Sequence, residues 1–398
     1  MVYDVLIVGG GIIGLNIARN IKRKEPSLKV ALIEKEKSVA MHSSGRNSGV
    51  LHAGFYYTSD SLKAKFTKEG NRLLKEFCKE RGLKINECQK VVVAQNEEEL
   101  EGLKELKRRG EKNGVSLEWL DKKELERLFP EADTYEKALL SPTTATVDPK
   151  EVTEAFEKEA RNLGVEIFLD TKYLQKLSKE MILTNRKIFK FKTFINAAGL
   201  YADKIAKEWD AGEEFVIIPF KGIYLKDSLN SIDLSTNIYP VPNLKNPFLG
   251  VHFTLTVNNE AKIGPTAIPA FWRENYEGLE NFNLSEMAEI LYYEAKLFLT
   301  NAFGFRDLAI EEMKKYNKEY FLSLAKALTK KRDLSSFNKW SAPGIRAQLL
   351  NKKSLKLVQD FVVEKRENSI HVLNAVSPAF TSSIPFTEWI VENYFNPS

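Results

Sequence analysis

Gly9, Gly11 and Gly14 follow the apolar run Tyr3-Asp4-Val5-Leu6-Ile7-Val8 and open a stretch where Ile12, Ile13, Leu15, Ile17, Ala18 and Ile21 recur at helical spacing. Strand, glycine turn and helix in that order leave a chain few choices. Lys29-Val30-Ala31-Leu32-Ile33-Glu34 reads as a second buried strand ending in a carboxylate, which completes a βαβ unit on a parallel sheet. Each part has a mechanical role. Gly9 permits the tight turn, Gly11 lets a pyrophosphate approach the backbone, and Gly14 lets the helix pack closely on the strand. The helix start at Ile12 and Ile13 attracts phosphate charge. Glu34, followed by Lys35, can accept hydrogen bonds from an adenosine ribose, which disfavours a 2′-phosphate and leaves FAD or NAD. There is one such fingerprint, so a single dinucleotide, FAD, is the economical reading.

The remaining composition narrows the function classes. In 398 residues, 59 basic side chains face 54 acidic ones, a net charge of +5 with Lys and Glu interleaved. No basic stripe tracks phosphates, so no nucleic-acid partner is expected. Cys78 and Cys88 are ten apart with no CxxC, so neither a dithiol pair nor a metal site is expected. Met1 leads straight into a strand without a basic, cleavable leader, which reads as a cytoplasmic protein. Apolar stretches break well short of the roughly 20 residues a membrane span needs. Peripheral attachment to the inner face of the cell membrane stays open, as does the oligomeric state.

The pattern predicts an α/β chain with an α+β second domain. Helices are expected at 67–78, 97–113, 149–162, from about 201, and at 386–394; strands at 90–94, 165–169, 192–197 and 370–374, with an extended stretch around 357–363. From Phe215 to about Gly264 strands come close together with Pro, Asn and Gly punctuation, as in a mixed or antiparallel sheet. A Rossmann-like FAD-binding domain is assigned to 1–85, 145–212 and 343–398, discontinuous because the resemblance given next brings both chain ends to one cofactor. The substrate domain takes 86–144 and 213–342, with a helical insertion at about 284–327.

The block His42-Ser43-Ser44-Gly45-Arg46-Asn47-Ser48-Gly49-Val50-Leu51-His52-Ala53-Gly54-Phe55-Tyr56-Tyr57 concentrates hydroxyls, glycines, two of the four histidines and paired tyrosines. With Ser61-Leu62-Lys63-Ala64, Asn196-Ala197-Ala198-Gly199, Pro219 to Tyr224, Ile238-Tyr239-Pro240-Val241-Pro242, Phe248-Leu249-Gly250-Val251-His252, Gly344 to Gln348 and Ser377 to Ser383, it resembles the L-2-hydroxyglutarate oxidase/dehydrogenase family, within the D-amino-acid-oxidase-like flavoproteins. The likeness runs from the first strand to the last helix. Two positions depart from the family pattern: Arg46 stands where His is expected, and Lys221 where Arg is also common. Arg46 keeps a cation near the flavin loop but removes an imidazole, which puts covalent flavin attachment or base catalysis there in doubt.

The resemblance implies oxidation of L-2-hydroxyglutarate to 2-oxoglutarate, with hydride passing from C2 to FAD. A base is then needed for the hydroxyl proton, and a neutral imidazole suits it. His52 and His252 are the candidates; His42 ranks lower, and His371 reads as structural. Two substrate carboxylates call for cations and hydroxyl donors: Arg346 first, then Lys221, Tyr56, Tyr57 and Tyr239. Ser44, Arg46, Asn47, Ser48, Gly49, Ala198 and Gly199 are expected around the cofactor. Pro378, Ala379, Thr381 and Ser382 lead into the last helix, whose positive end suits the flavin ring. Quinone or oxygen would take the electrons. The rivals are an oxidoreductase of the same group acting on glycerol 3-phosphate or an amino acid, a non-catalytic flavin-fold binding protein, and an NAD-dependent dehydrogenase.

Overall fold

In a computed structural model of the chain, residues 1–396 are described apart from 231, 244–249 and 332. Phe248 and Leu249 of the family block lie outside the described residues. The chain divides into two compact units, the first made of 1–47, 149–219 and 345–398, the second of 48–148 and 220–344.

The first unit is built on an eight-stranded sheet whose central strand, Val2–Val8, pairs in parallel with Val30–Ile33 on one side and Ile188–Asn196 on the other. Glu166–Phe168 extends the sheet beyond Val30–Ile33, and Ser369–Asn374 pairs in parallel with Ile188–Asn196. Register does the functional work. Val8 sits opposite both Ile33 and Asn196, and Asn196 opposite His371. The glycine turn, Glu34, the Ala197–Gly199 turn and the segment after Asn374 therefore all leave the same carboxyl edge, where open α/β sheets bind ligands. Helix Ile12–Lys24 buries its apolar stripe and packs against helices Pro149–Asn162 and Ser383–Tyr394. Arg19 is tied to Glu159 at 2.6 Å and Asn20 donates to the Thr387 hydroxyl at 3.0 Å.

Several local expectations are corrected. A hairpin joins the sheet edge: Tyr173–Ser178 is largely exposed, whereas Met181–Thr184 alternates, with Ile182 and Thr184 buried. Gly344–Asn351, read as unassigned, is an eight-residue strand, while the 357–363 stretch becomes a strand at Val362–Arg366. The 48–85 segment, placed by sequence with the cofactor domain, belongs to the second unit. Its strand Val50–Leu51 and the short Ile85–Asn86 both pair with Ala145–Val147.

The second unit carries another eight-stranded sheet, in the order Phe337–Trp340, Leu225–Asp227, Ala261–Gly264, His252–Leu255, Asn237–Pro240, Lys90–Val93, Lys137–Ser141, Glu118–Asp121. Side chains alternate between its faces. Val91, Val93, Ile238, Phe253, Leu255, Ala261 and Ile263 pack with Phe321 and Ala325 in one apolar core. The opposite face presents Lys90, Asn237, Tyr239, His252, Thr254 and Lys262. The helical insertion consists of Leu284–Thr300, Phe305–Lys314 and Lys318–Lys326. No helix among the described residues is long and apolar enough to cross a membrane.

Candidate active site

In the first unit the glycine turn is shaped as a dinucleotide requires. Gly9 has φ +112°, and a Cβ there would meet the Ala197 carbonyl oxygen at 2.4 Å. A Cβ on Gly14 would lie 2.0 Å from the Gly9 carbonyl oxygen. Neither position admits a side chain. The helix start has no cap from Gly11; the Ser44 hydroxyl accepts from the Ile12 N–H at 2.9 Å instead. First-turn N–H groups have no partner within their own helix and are suited to an anion. Glu34 is fixed beside this turn, accepting from the N–H groups of Gly10 at 2.7 Å and Glu36 at 2.9 Å. Carboxylate oxygens so bonded keep lone pairs for ribose hydroxyls. The residues fit FAD.

The other expected cofactor contacts divide by unit. The 42–47 loop is held by its own bonds: Arg46 donates to the Met41 carbonyl at 2.8 Å, and the Asn47 amide to the carbonyls of Ser43 and Ser44, each at 3.0 Å. The Lys35 amine pairs with Glu36, which also bonds His42 at 2.9 Å. Ala198 N–H donates to Asn196, and Gly199 takes φ +54°. Pro378 and Ala379 form the turn before the last helix, and Thr381 and Ser382 are buried in it. Arg346 also lies in this unit, on the Gly344–Asn351 strand, its Nε donating to Gln348 at 2.9 Å. Ser48 and Gly49 fall in the second unit. His371 is a core imidazole between Asn196 and Ser369.

The second unit gathers His52, Tyr56, Tyr239 and His252. Ile238 pairs with Phe253, so Tyr239 and His252 are side by side on the polar face and their rings stack at 3.7 Å. His252 Nδ1 lies 2.7 Å from the Gly250 carbonyl. A carbonyl only accepts, so Nδ1 carries the hydrogen and Nε2 keeps a lone pair. Burial pushes the His252 pKa down to about 3, helped by the charges of Lys90, Lys262 and Lys315 against the Gly250 bond. Burial likewise pushes His52 down to about 3, with Lys90 and His252 adding to it. Both imidazoles are neutral before reaction, while the same burial disfavours the imidazolium, so the charge of a bound anionic substrate is needed to favour proton acceptance. Tyr56 has a buried hydroxyl without a hydrogen-bond partner among the described residues, and burial raises its pKa well above 10. Tyr57 is held through its carbonyl by Asn113, and Lys221 is half-buried, its pKa lowered by that burial.

Two residues of this face escaped the sequence reading. Lys90 is fully buried, its amine 4.6, 4.5 and 4.7 Å from the ring centres of Phe55, Tyr56 and Tyr239, with no hydrogen-bond partner among the described residues. Burial pulls its pKa down to about 7. Lys262 donates to the Ser48 carbonyl at 3.0 Å, and burial pulls it to about 8. The available signal was strand alternation. Lys90 and Lys262 sit at inward positions among Val91, Val92, Val93 and Ile263, where a solvated lysine would not be placed.

Comparison with known proteins agrees with this geometry. The family model described as FAD dependent oxidoreductase matches residues 4–392. The chain is 36% identical to the L-2-hydroxyglutarate dehydrogenase of Escherichia coli O17:K52:H18 over 396 residues, covering 98% of this chain and 92% of that protein. It is 36% identical to the protein of the same name from Indibacter alkaliphilus over 404 residues, covering 99% and 100%. Among solved structures, the FAD-bound L-alpha-glycerophosphate oxidase of Mycoplasma pneumoniae superposes with a TM-score of 0.78 at 23% identity, covering 98% of this chain and 94% of that one, a likeness of fold. A glycine turn that excludes side chains, an acidic residue bonded beside it, and a match spanning nearly the whole chain together place it: the chain belongs to the FAD-dependent oxidoreductase family.

Proposed function

We propose that the protein oxidises L-2-hydroxyglutarate to 2-oxoglutarate. FAD, when bound, supplies the acceptor for the hydride leaving C2. The chain's own residues bind the acid and take the remaining proton. His252 is the proton acceptor: its Nδ1 faces Gly250, so Nε2 carries the free lone pair, and burial keeps the ring neutral. As the C2–H bond breaks with its electron pair, the hydroxyl proton passes to Nε2 and the second C–O bond forms. His52, neutral for the same reason, is the alternative acceptor. Tyr239 fixes the plane of His252 by stacking. Arg346, positioned by Gln348, is assigned to a substrate carboxylate, with Lys221, Tyr56 and Tyr57 as further polar contacts.

The observation that carries this reading is the buried His252–Tyr239 stack on a lysine-bearing sheet face, in a chain that aligns over its length with proteins named L-2-hydroxyglutarate dehydrogenase. Quinone or oxygen is assigned as the electron acceptor. Leu284, Tyr292, Leu299 and Met313, exposed on the helical insertion, suit peripheral contact with a membrane that holds a quinone. Incubating the FAD-loaded protein with L-2-hydroxyglutarate and an artificial electron acceptor should yield 2-oxoglutarate mole for mole with acceptor reduced. Reduction of the acceptor without 2-oxoglutarate would refute the reaction.

A further inference from the structure

Two buried lysines on one sheet face, beside two neutral histidines, need a physical reason. Removing an ammonium from water is costly unless it is paired. Among the described residues neither amine is ion-paired with a carboxylate: Lys90 ends inside three aromatic rings, and Lys262 on the Ser48 carbonyl above the Tyr224 ring at 4.8 Å. Glu260 and Asp148 act on Lys262 only through space. Aromatic faces and one carbonyl stabilise an ammonium, but they cancel no charge. Whenever these amines hold their protons the face is positive where Tyr239 and His252 lie, and a bound anion is what would both neutralise it and favour the protonated amines.

We propose that Lys90 and Lys262 are the specificity-determining charges of this site, selecting a substrate with two carboxylates over one of the same shape with a single carboxylate. The proposal rests on the 2-hydroxy acid reading above and adds how the second negative charge is recognised. Lys90 acts through the ring wall of Phe55, Tyr56 and Tyr239 and not by touching the acid, because its amine is enclosed by them. Charges in a low-dielectric surrounding act over several ångströms, so contact is not required. Lys262, reached from Ser48 at the start of the His52 loop, is the second positive charge on the same face. The arrangement also predicts proton uptake. Burial holds Lys90 at about 7 and Lys262 at about 8, so at pH 8.5 Lys90 is almost wholly and Lys262 mostly neutral, and a nearby dianion returns the missing protons. Of the other groups facing them, His52 and His252 titrate near 3, Tyr56, Tyr224 and Tyr239 are pushed above their ordinary range by burial, and Lys226, Glu260 and Asp148 act on Lys262 as charges through space.

The test compares Lys90→Met and Lys262→Met holoproteins, checked for flavin content, with wild type. Anaerobic flavin reduction is followed with L-2-hydroxyglutarate and with its 5-methyl ester, which has one carboxylate fewer. Wild type should prefer the dianion, and each variant should lower that preference at least about tenfold, chiefly through KM. An unchanged preference, with both substrates slowed equally or neither slowed, overturns the proposal. If wild type is reduced by neither substrate, the substrate reading has failed, and charge selection is read instead from flavin spectral shifts on binding glutarate against monomethyl glutarate. Should a Met variant lose its flavin, calorimetry of glutarate binding to wild type at pH 8.5 in buffers of different ionisation enthalpy decides: proton uptake supports the pair, and none overturns it.

Discussion

The imidazole of His252 lies on the ring of Tyr239, centroids 3.7 Å apart and planes 19° from parallel, because the register of their two strands puts them next to each other on one face. The stack fixes the direction in which Nε2 can take a proton. Exchanging Tyr239 for Phe keeps the ring and should change the flavin reduction rate by less than about threefold, whereas Leu should lower it about tenfold, given 0.5 to 1.5 kcal/mol for such a pair. Stopped-flow reduction of flavin-loaded variants measures this. Equal losses in both variants would tie the effect to the hydroxyl and not to the stack.

Replacing His252 by Asn should lower flavin reduction by about 10² to 10⁴ without loss of bound flavin. In wild type the rate at saturating substrate should stay level from pH 7 down to about 5, because the folded imidazole is neutral until about pH 3 and Lys90, titrating at about 7, acts through KM. A half-loss of rate near pH 6.5, the ordinary imidazole value, would contradict burial as the cause of neutrality.

Lys90 makes a stability prediction with a definite sign. Its folded pKa of about 7 lies below the ordinary 10.5, so between these values the unfolded chain holds a proton that the folded chain lacks. Stability then rises with pH across that window. Lys90→Met has no such dependence, so the stability of the variant relative to wild type should be greatest at pH 7 and below and shrink toward pH 10. Urea unfolding of both proteins at pH 6.5, 8 and 9.5 reads the trend; a constant difference would show that Lys90 titrates normally.

Gly14→Ala places a methyl group 2.0 Å from the Gly9 carbonyl oxygen. Overpacking of this kind costs about 1 to 3 kcal/mol, and here it also pushes the helix start away from the turn. The variant should purify with little flavin and a lowered Tm. Full flavin occupancy would mean that the turn is not the pyrophosphate site.

Much of the first unit could be read from residues alone. The Val2–Val8 strand, the Ile12–Lys24 helix and the Pro149–Asn162 helix announce themselves through periodicity and glycine spacing, and these are local properties. The discontinuity of that unit followed from family blocks at both chain ends. What stayed hidden depended on pairing between distant segments. In the 173–184 hairpin the first strand buries little, and the second alternates over four residues only, too few to read as a pattern. The 48–85 segment goes with the second unit through Val50–Leu51 and Ile85–Asn86, strands too short to give a pattern. His52 and His252 could be singled out as chemistry-bearing types, but Lys90 and Lys262 are ordinary in a lysine-rich chain until strand register places them inside.

The central claim is hydride transfer from one 2-hydroxy acid to FAD. The most direct measurement is anaerobic mixing of the FAD-loaded protein with L-2-hydroxyglutarate, its D-isomer, L-lactate and glycerol 3-phosphate, following flavin absorbance. The account predicts bleaching by L-2-hydroxyglutarate and none at comparable rate by the other three. Faster bleaching by glycerol 3-phosphate or by the D-isomer, or no bleaching by any of the four, would contradict it.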